Sequence, residues 1–371
     1  MIKKLYNKYF KSSPTMRKMN DIRKRVRSAY GVLTDKNVKI NRYEIAFERK
    51  VKEFDLTPEE LYTARKHGIW PSSYVMYDFD KWNIGQYLSE RDMHKLNFSE
   101  RGLALIFKDK RNLPLLFLKK SAHYLPSLNI AIENGRVQYV VENGIYQERD
   151  FHLGALLEGY LKKYNSLIYK PDILSGGHGR FLMSQSLRDE DLQRIQTEGN
   201  AIINNAIVNE EYAHRINPHS LNTIRVNFFK NKNGSIKVIS MLHRFGATSD
   251  TRVDNVSSGG VAAGIDQETG KLMQAYTIRR NRIDLDTHPV TGQTITGFMI
   301  PDWNDKKRAI DELLNEVNYL EYGGLDIAFT IEGCKVIEIN ARPALRSMQF
   351  ATPALIDEEF VEFLRLRGYD K

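Results

Sequence analysis

Acids placed inside otherwise apolar strands constrain this chain more than any other feature. The run Gly323-Gly-Leu-Asp-Ile-Ala-Phe-Thr-Ile-Glu-Gly-Cys-Lys-Val-Ile-Glu-Ile-Asn340 reads as a β-hairpin, Leu325 to Ile331 and Lys335 to Asn340. In it, Asp326, Glu338 and Asn340 stand where period-two alternation would put Val, Ile or Ala on a buried face. Burying carboxylates without compensation is costly, so a partner cation is expected. Two carboxylates and an amide oxygen are hard ligands of the kind magnesium takes, with phosphate oxygens and water completing the shell. The plain alternative is pairing with basic side chains on a solvated face. A two-residue turn at Glu332-Gly333 would leave Asp326 and Glu338 on opposite faces, so a three-residue loop such as Glu332-Gly-Cys334, or a bulge, is predicted.

Three further groups carry chemistry. Leu167-Ile-Tyr-Lys-Pro171 reads as a strand delivering Lys170 to the glycine-rich run Ser175-Gly176-Gly177-His178-Gly179. A lysine and several backbone N–H groups suit a polyphosphate, though no Gly-Lys-Ser/Thr of the Walker type follows. Ala206 to Tyr212 reads as a strand ending in Glu210 and Glu211, where backbone groups could meet an adenine edge and a carboxylate the ribose hydroxyls. Arg225 and Arg244 interrupt apolar strands, and Arg252 stands beside Asp254-Asn255. Guanidinium forks suit phosphate or carboxylate; surface ion pairing is the alternative.

The rest of the chain gives organisation. Residues 1–30 hold ten Lys or Arg against Asp21 alone and carry the whole net charge of +9, so the remainder is balanced. A basic arm of this kind is a candidate for contact with anionic lipid, nucleic acid or an acidic partner, or is a solvated helix or frayed tail; the balanced body argues against a nucleic-acid groove, which leaves peripheral membrane contact as the expected partner surface. No apolar run approaches the roughly 20 residues of a membrane span, no secretory signal is visible, and one cysteine, Cys334, suits a reducing cytoplasm. Residues 35–95 read as helical, with Thr57-Pro-Glu-Glu60 a capped helix start and Ile45, Ala46, Arg49 and Phe54 a partial stripe. Further on, the pattern predicts a strand at Gly102–Phe107 and a hairpin over Asn129–Val141 turning at Asn134-Gly135. It then predicts a helix over Asp189–Ile203, a hairpin of Leu221–Lys230 and Ser235–Arg244, a polar loop at 247–260 and a helix over Asp305–Glu321. Helices interspersed with antiparallel hairpins indicate an α+β architecture.

In this order the groups resemble the ATP-grasp superfamily, and more closely its sugar-transfer-associated branch. The resemblance rests on Lys170-Pro171, Ser175 to Gly179, Ser220-Leu-Asn-Thr-Ile-Arg-Val226, Val253-Asp-Asn-Val-Ser-Ser-Gly-Gly260, His288-Pro-Val-Thr-Gly292, Ile300-Pro-Asp-Trp303, and Gly324-Leu-Asp326 with Glu338-Ile-Asn340. It covers roughly 100–345 and implies two α+β lobes clamping ATP behind a mostly helical N-terminal region. The divisions it implies are a basic arm (1–30), a helical region (31–98), a pre-grasp lobe (99–160), lobe A (161–212) and lobe B with a C-terminal helix (213–371). It implies Lys170 on the nucleotide phosphates, Lys110 as the nucleotide-binding lysine that precedes the clamp, Ser175 to Gly179 as the phosphate-covering loop, Glu210 or Glu211 on adenine and ribose, and Asp326, Glu338 and Asn340 as magnesium ligands. Where D-alanyl ligases carry an arginine two before the metal aspartate, this chain has Gly324. Arg225, Arg244 or Arg252 then supplies that charge, with Asn255 completing the candidate catalytic set. The implied activity joins a carboxylate to an amine through an acyl phosphate at the expense of ATP, on substrates that include a sugar or polysaccharide precursor. A kinase that stops at phosphoryl transfer, or a non-catalytic scaffold or nucleic-acid binder, is the alternative.

Overall fold

The computed structural model describes residues 36–96, 98, 106–107, 109–117, 119–172, 181–184, 186–248, 254, 256, 259–341 and 343–370. The basic arm, the run Ser175 to Gly179, Arg252 and Asn255 lie outside the described residues, as do most of Gly102–Phe107 and much of loop 247–260.

Two antiparallel sheets organise the chain. Sheet A has six strands in the order β3-β2-β1-β6-β4-β5, with β1 Leu128–Glu133, β2 Arg136–Glu142, β3 Ile145–Gln147, β4 Ser166–Pro171, β5 Phe181–Ser184 and β6 Ala201–Asn205. Sheet B has seven in the order β11-β10-β9-β8-β7-β12-β13. Its strands are β7 Thr223–Lys230, β8 Ile236–Phe245, β9 Val261–Ile265, β10 Leu272–Ile278, β11 Arg282–Leu285, β12 Tyr322–Thr330 and β13 Gly333–Asn340. All three expected hairpins form, and the β1–β2 turn takes positive φ at Asn134 and Gly135, as a tight hairpin requires. Because β1–β3 and β4–β6 share one sheet, the division at 160/161 runs through sheet A.

Alternation sets what each face does. The outer face of sheet A packs Ile130, Ile132, Tyr169 and Ile203 against Leu153, Leu157 and Leu161 of a helix, Leu153–Tyr164. One face of sheet B packs Val226, Phe245, Ile327 and Val336 against Ile310, Leu313 and Leu314 of the helix Trp303–Glu316. The N-terminal region is helical, with α1 Lys36–Val51, α2 Pro58–His67 and α3 Glu90–Lys95. Besides two single-turn helices, Pro71–Tyr74 and Leu113–Leu116, the chain goes on to form α4 Leu153–Tyr164, α5 Asp189–Glu198, α6 Glu211–Ile216, α7 Trp303–Glu316, α8 Leu345–Gln349 and α9 Glu358–Arg365. Ile69, Met76, Tyr77 and Tyr87 of the N-terminal region pack over Leu242, Ala262 and Tyr276, on the opposite face of sheet B from α7. Thr57 and Glu60 form the expected capping box at the start of α2. No described helix is long and apolar enough to cross a membrane.

Four local expectations are corrected. The stripe of α1 buries Tyr43 and Phe47, and leaves Ile45 and Arg49 exposed. The helix from Asp189 stops at Glu198; Gly199 turns at φ +89, and the β-branched Ile202 and Ile203 join β6 between β1 and β4. Residues 206–210 are a connector and not a strand, because Asn209 uses its side chain on both backbone groups of Asn222, at 2.7 and 2.9 Å. The late helix spans Trp303–Glu316, and Val317 and Leu320 follow it in a turn that still buries both.

Candidate functional site

The β12–β13 hairpin resolves the parity problem with a bulge. Its turn has two residues, Ile331 and Glu332, between the partners Thr330 and Gly333. Between the pairs Ile327↔Val336 and Asp326↔Glu338 the register shifts, and Ile337 is the extra residue. Asp326 therefore stands directly opposite Glu338, and Gly324 opposite Asn340, so the three polar side chains share one face.

That face continues across the sheet. Arg225 on β7 is the register partner of Asp326, and Arg244 on β8 is the partner of Thr223, two residues from Arg225 on the same side. Arg225 grips both oxygens of the buried Asp326, with its Nη2 2.9 Å from Oδ2, and Arg244 Nη2 forms an ion pair with Oδ1 at 3.0 Å. Burial pushes the Asp326 carboxyl up, but Arg225 and then Arg244 outweigh it and hold it down at about 2. Burial likewise opposes the charge on Arg244, yet Asp326 and Asp254 keep its proton bound more tightly than in an ordinary arginine. Asp326 thus does pair with bases, on a buried face and not the solvated one of the plain alternative.

Two partners of this cluster escaped the sequence reading. Thr223 accepts from Arg244 Nε at 3.0 Å, and its own N–H donates to Asp254 Oδ2, also at 3.0 Å. The Thr223 hydroxyl donates to the same Asp254 oxygen, so Asp254 is the described point at which loop 247–260 fastens to β7. The signal available was the spacing of Thr223 two residues before Arg225; nothing local ties either residue to Asp254.

Beside the hairpin, the free edge of β13 meets the inner face of sheet A. The cleft between them is lined by Lys110, Asn129, Lys170, Ile202, Asn204 and Glu338, among others. Both candidate lysines and one candidate metal ligand therefore meet in one cleft. Lys110 is tied to the end of β4, its N–H donating to Asp172 at 3.0 Å and its Nζ to the Pro171 carbonyl at 3.3 Å. Glu210 and Glu211 are not among the cleft-lining residues. The Glu210 carboxylate lies 2.8 Å from Nζ of the buried Lys306 of α7, and Glu211 is exposed and faces Arg215.

Arg225 donates to both oxygens of Asp326 and Arg244 pairs with Oδ1, so among the described residues this carboxylate is held by arginines. Glu338 forms no ion pair within 4 Å among the described residues, and Asn340 Nδ2 is buried without a partner. No three His, Cys, Asp or Glu gather into a metal cage among the described residues. The face therefore suits a hard cation that brings most of its own oxygen ligands, as magnesium does on a polyphosphate.

The sequence profile of the family described as sugar-transfer associated ATP-grasp matches residues 91–361. The chain belongs to that family. Among solved structures, this ATP-grasp chain is similar to D-alanyl-alanine synthetase A from Vibrio cholerae, at 11% identity and TM-score 0.41 over 70% of this chain and 63% of that one. It is also similar to a RiPP-associated ATP-grasp ligase from Chryseobacterium gregarium in complex with ADP and a leader and core peptide, at 10% identity and TM-score 0.39 over 74% and 64%. A third is the ATP-grasp ligase PsnB complexed with a phosphomimetic variant of its minimal precursor, Mg and ADP, at 16% identity and TM-score 0.36 over 68% and 56%. The chain spans less than two thirds of each of these. No curated protein matches the sequence.

Proposed function

We propose that this ATP-grasp protein is an ATP- and magnesium-dependent carboxylate–amine ligase. The observation that carries the reading is the convergence of Asp326, Glu338, Asn340, Arg225 and Arg244 on one face at the edge of a cleft that also holds Lys110 and Lys170. In the reaction, a substrate carboxylate oxygen attacks the γ-phosphorus of ATP and ADP leaves. An amine nitrogen then attacks the acyl carbon, loses a proton, and phosphate departs.

Each residue has a task in that sequence. Lys110 and Lys170 balance the charge of the nucleotide phosphates, and Ser175, Gly176, Gly177, His178 and Gly179 cover them. Asp326, Glu338 and Asn340 would hold magnesium, whose charge would offset that of the transferring phosphoryl group. Arg225 and Arg244, with Arg252 and Asn255, orient the carboxylate and the acyl phosphate, and Glu210 or Glu211 meets the adenosine. A cleft between two sheets supplies the positioning and the exclusion of water on which such chemistry depends. The family description supports a sugar-linked carboxylate or amine as substrate, and residues 1–30 would attach the enzyme to an anionic membrane surface through charge.

The test is a screen of uronic acids, amino acids and nucleotide-linked sugars for stimulated ADP release with ATP and magnesium, followed by hydroxylamine. A ligase yields a trapped hydroxamate. A phosphorylated product stable to hydroxylamine would identify a kinase and overturn the reading.

A further inference from the structure

Thr223 and Asp254 stand behind Arg244 and are left without a task by the ligase reading. Both are buried, Thr223 at the start of β7 directly opposite Arg244 of β8, and Asp254 in the stretch between β8 and β9. The Thr223 hydroxyl meets three groups at once. Arg244 donates to it from Nε at 3.0 Å and again from Nη2, and it touches the Asp254 Oδ2 that also accepts the Thr223 N–H at 3.0 Å.

The chemistry of these groups leaves one arrangement. A guanidinium only donates and a carboxylate only accepts, while a hydroxyl has one hydrogen and two lone pairs. The single hydrogen of Thr223 therefore goes to Asp254, and its two lone pairs are left for the Nε–H and one Nη2–H of Arg244. Asp254 itself comes no nearer than 3.7 Å to Arg244 Nε, so the hydroxyl is the closer link. With two N–H groups on one oxygen and Nη2 also 3.0 Å from Asp326 Oδ1, the plane of the guanidinium is fixed. Nη1 forms no hydrogen bond with a described residue, and is the end of Arg244 left for an incoming group.

We infer that Thr223 and Asp254 are positioning residues: Asp254 fixes the direction of the Thr223 hydroxyl, and the hydroxyl fixes the plane of Arg244 so that Nη1 is offered to the phosphate formed in the reaction. The inference rests on the proposed role of Arg244 toward the acyl phosphate and goes beyond it by naming what orients the guanidinium. Its sign differs from that of a plain charge effect. Removing the negative charge of Asp254 from beside an anion strengthens anion binding by Coulomb attraction alone, whereas loss of an oriented donor weakens it.

Calorimetric titration of inorganic phosphate into the full chain saturated with ADP and magnesium tests this, phosphate being the product that the proposed reaction releases. Asp254→Ala should weaken phosphate binding about tenfold, the lower range for a hydrogen bond to a charged group, and Thr223→Val, which keeps the shape and loses the hydroxyl, should do the same. Asp254→Asn, whose amide oxygen still accepts from the hydroxyl, and Thr223→Ser should stay within about twofold of the parent chain. ADP affinity should change by less than about twofold in all four, since neither residue lines the cleft. Unchanged or tighter phosphate binding in Asp254→Ala, or unchanged binding in Thr223→Val, overturns the inference. Equal weakening of ADP and phosphate overturns it as well, because that marks a generally damaged site. A parent chain that binds ADP but no phosphate overturns the inference alone, and one that binds neither overturns the proposed function with it. Each variant is checked for a cooperative thermal transition; if Asp254→Ala does not fold, Thr223→Val set against Thr223→Ser decides the matter.

Discussion

His243 and Arg244 are neighbours in β8, both largely removed from water, and they treat charge in opposite ways. Arg244 points to the face that carries Asp326 and Asp254 and keeps its proton tightly. His243 points to the other face, stacks on Phe245 and meets the Tyr212 hydroxyl through Nε2 at 3.1 Å, and burial holds its pKa down at about 3. Cys334 lies within the same core as the Phe245 ring, and there burial, only partly countered by Lys335, pushes the thiol up to about 12. One sheet thus separates a face that retains charge from a face that expels it. The difference is not depth of burial but whether an opposite charge stands within reach, since desolvation acts on both faces and only one offers partners.

The contrast can be broken in a definite order. Replacing Arg225 by Met strips Asp326 of its two-pronged partner, and should cost about 3–5 kcal/mol in urea unfolding, the range for a buried charge that loses its mate. A loss below about 1 kcal/mol would mean that Arg244 alone sustains the charge. Glu338→Gln should hardly move the unfolding midpoint, since that carboxylate forms no ion pair among the described residues. The same change should lower ATP-dependent ADP release by about a hundredfold or more and abolish the effect of magnesium on ADP affinity. Unchanged magnesium dependence would remove Glu338 from the ligand set.

On the core face the effects are smaller. His243 has a folded pKa of about 3, below the ordinary value of 6.5. Between those values the unfolded chain binds more protons than the folded one. Stability is therefore full above pH 6.5 and falls with pH, by up to about 1.4 kcal/mol per unit, until pH nears the folded value. His243→Phe should flatten that part of the profile, and an unaltered slope would mean that other groups set it. Cys334, the single cysteine, should resist iodoacetamide at neutral pH in the folded protein and react with one equivalent in urea. Rapid labelling of the native chain would show that the core face opens.

What could be read from sequence was whatever alternation records. Asp326, Glu338 and Asn340 disclosed themselves by breaking an apolar rhythm, and the need for a bulge or a longer loop followed from counting. The hairpins were legible through Asn-Gly and similar turn residues. Ile202 and Ile203 were not, because a short apolar run fits one side of a helix as well as a buried strand, and the choice is made by pairing with β1 and β4, far away in the chain. Asp254, Thr223 and Lys306 were missed for the same reason. Their partners are set by strand order and helix packing, and no local pattern encodes that Lys306 of α7 meets Glu210.

Ile337 gives the hairpin a half-step in a two-beat measure. Side chains along β13 can be exchanged one at a time and the measure survives, but losing this one residue would transpose everything after it. Glu338 and Asn340 would turn toward the oily core, and Ile339 would come round to face the arginines. The identity of the residue at the bulge matters less than its being there, so the site depends on the length of this strand more strictly than on its spelling.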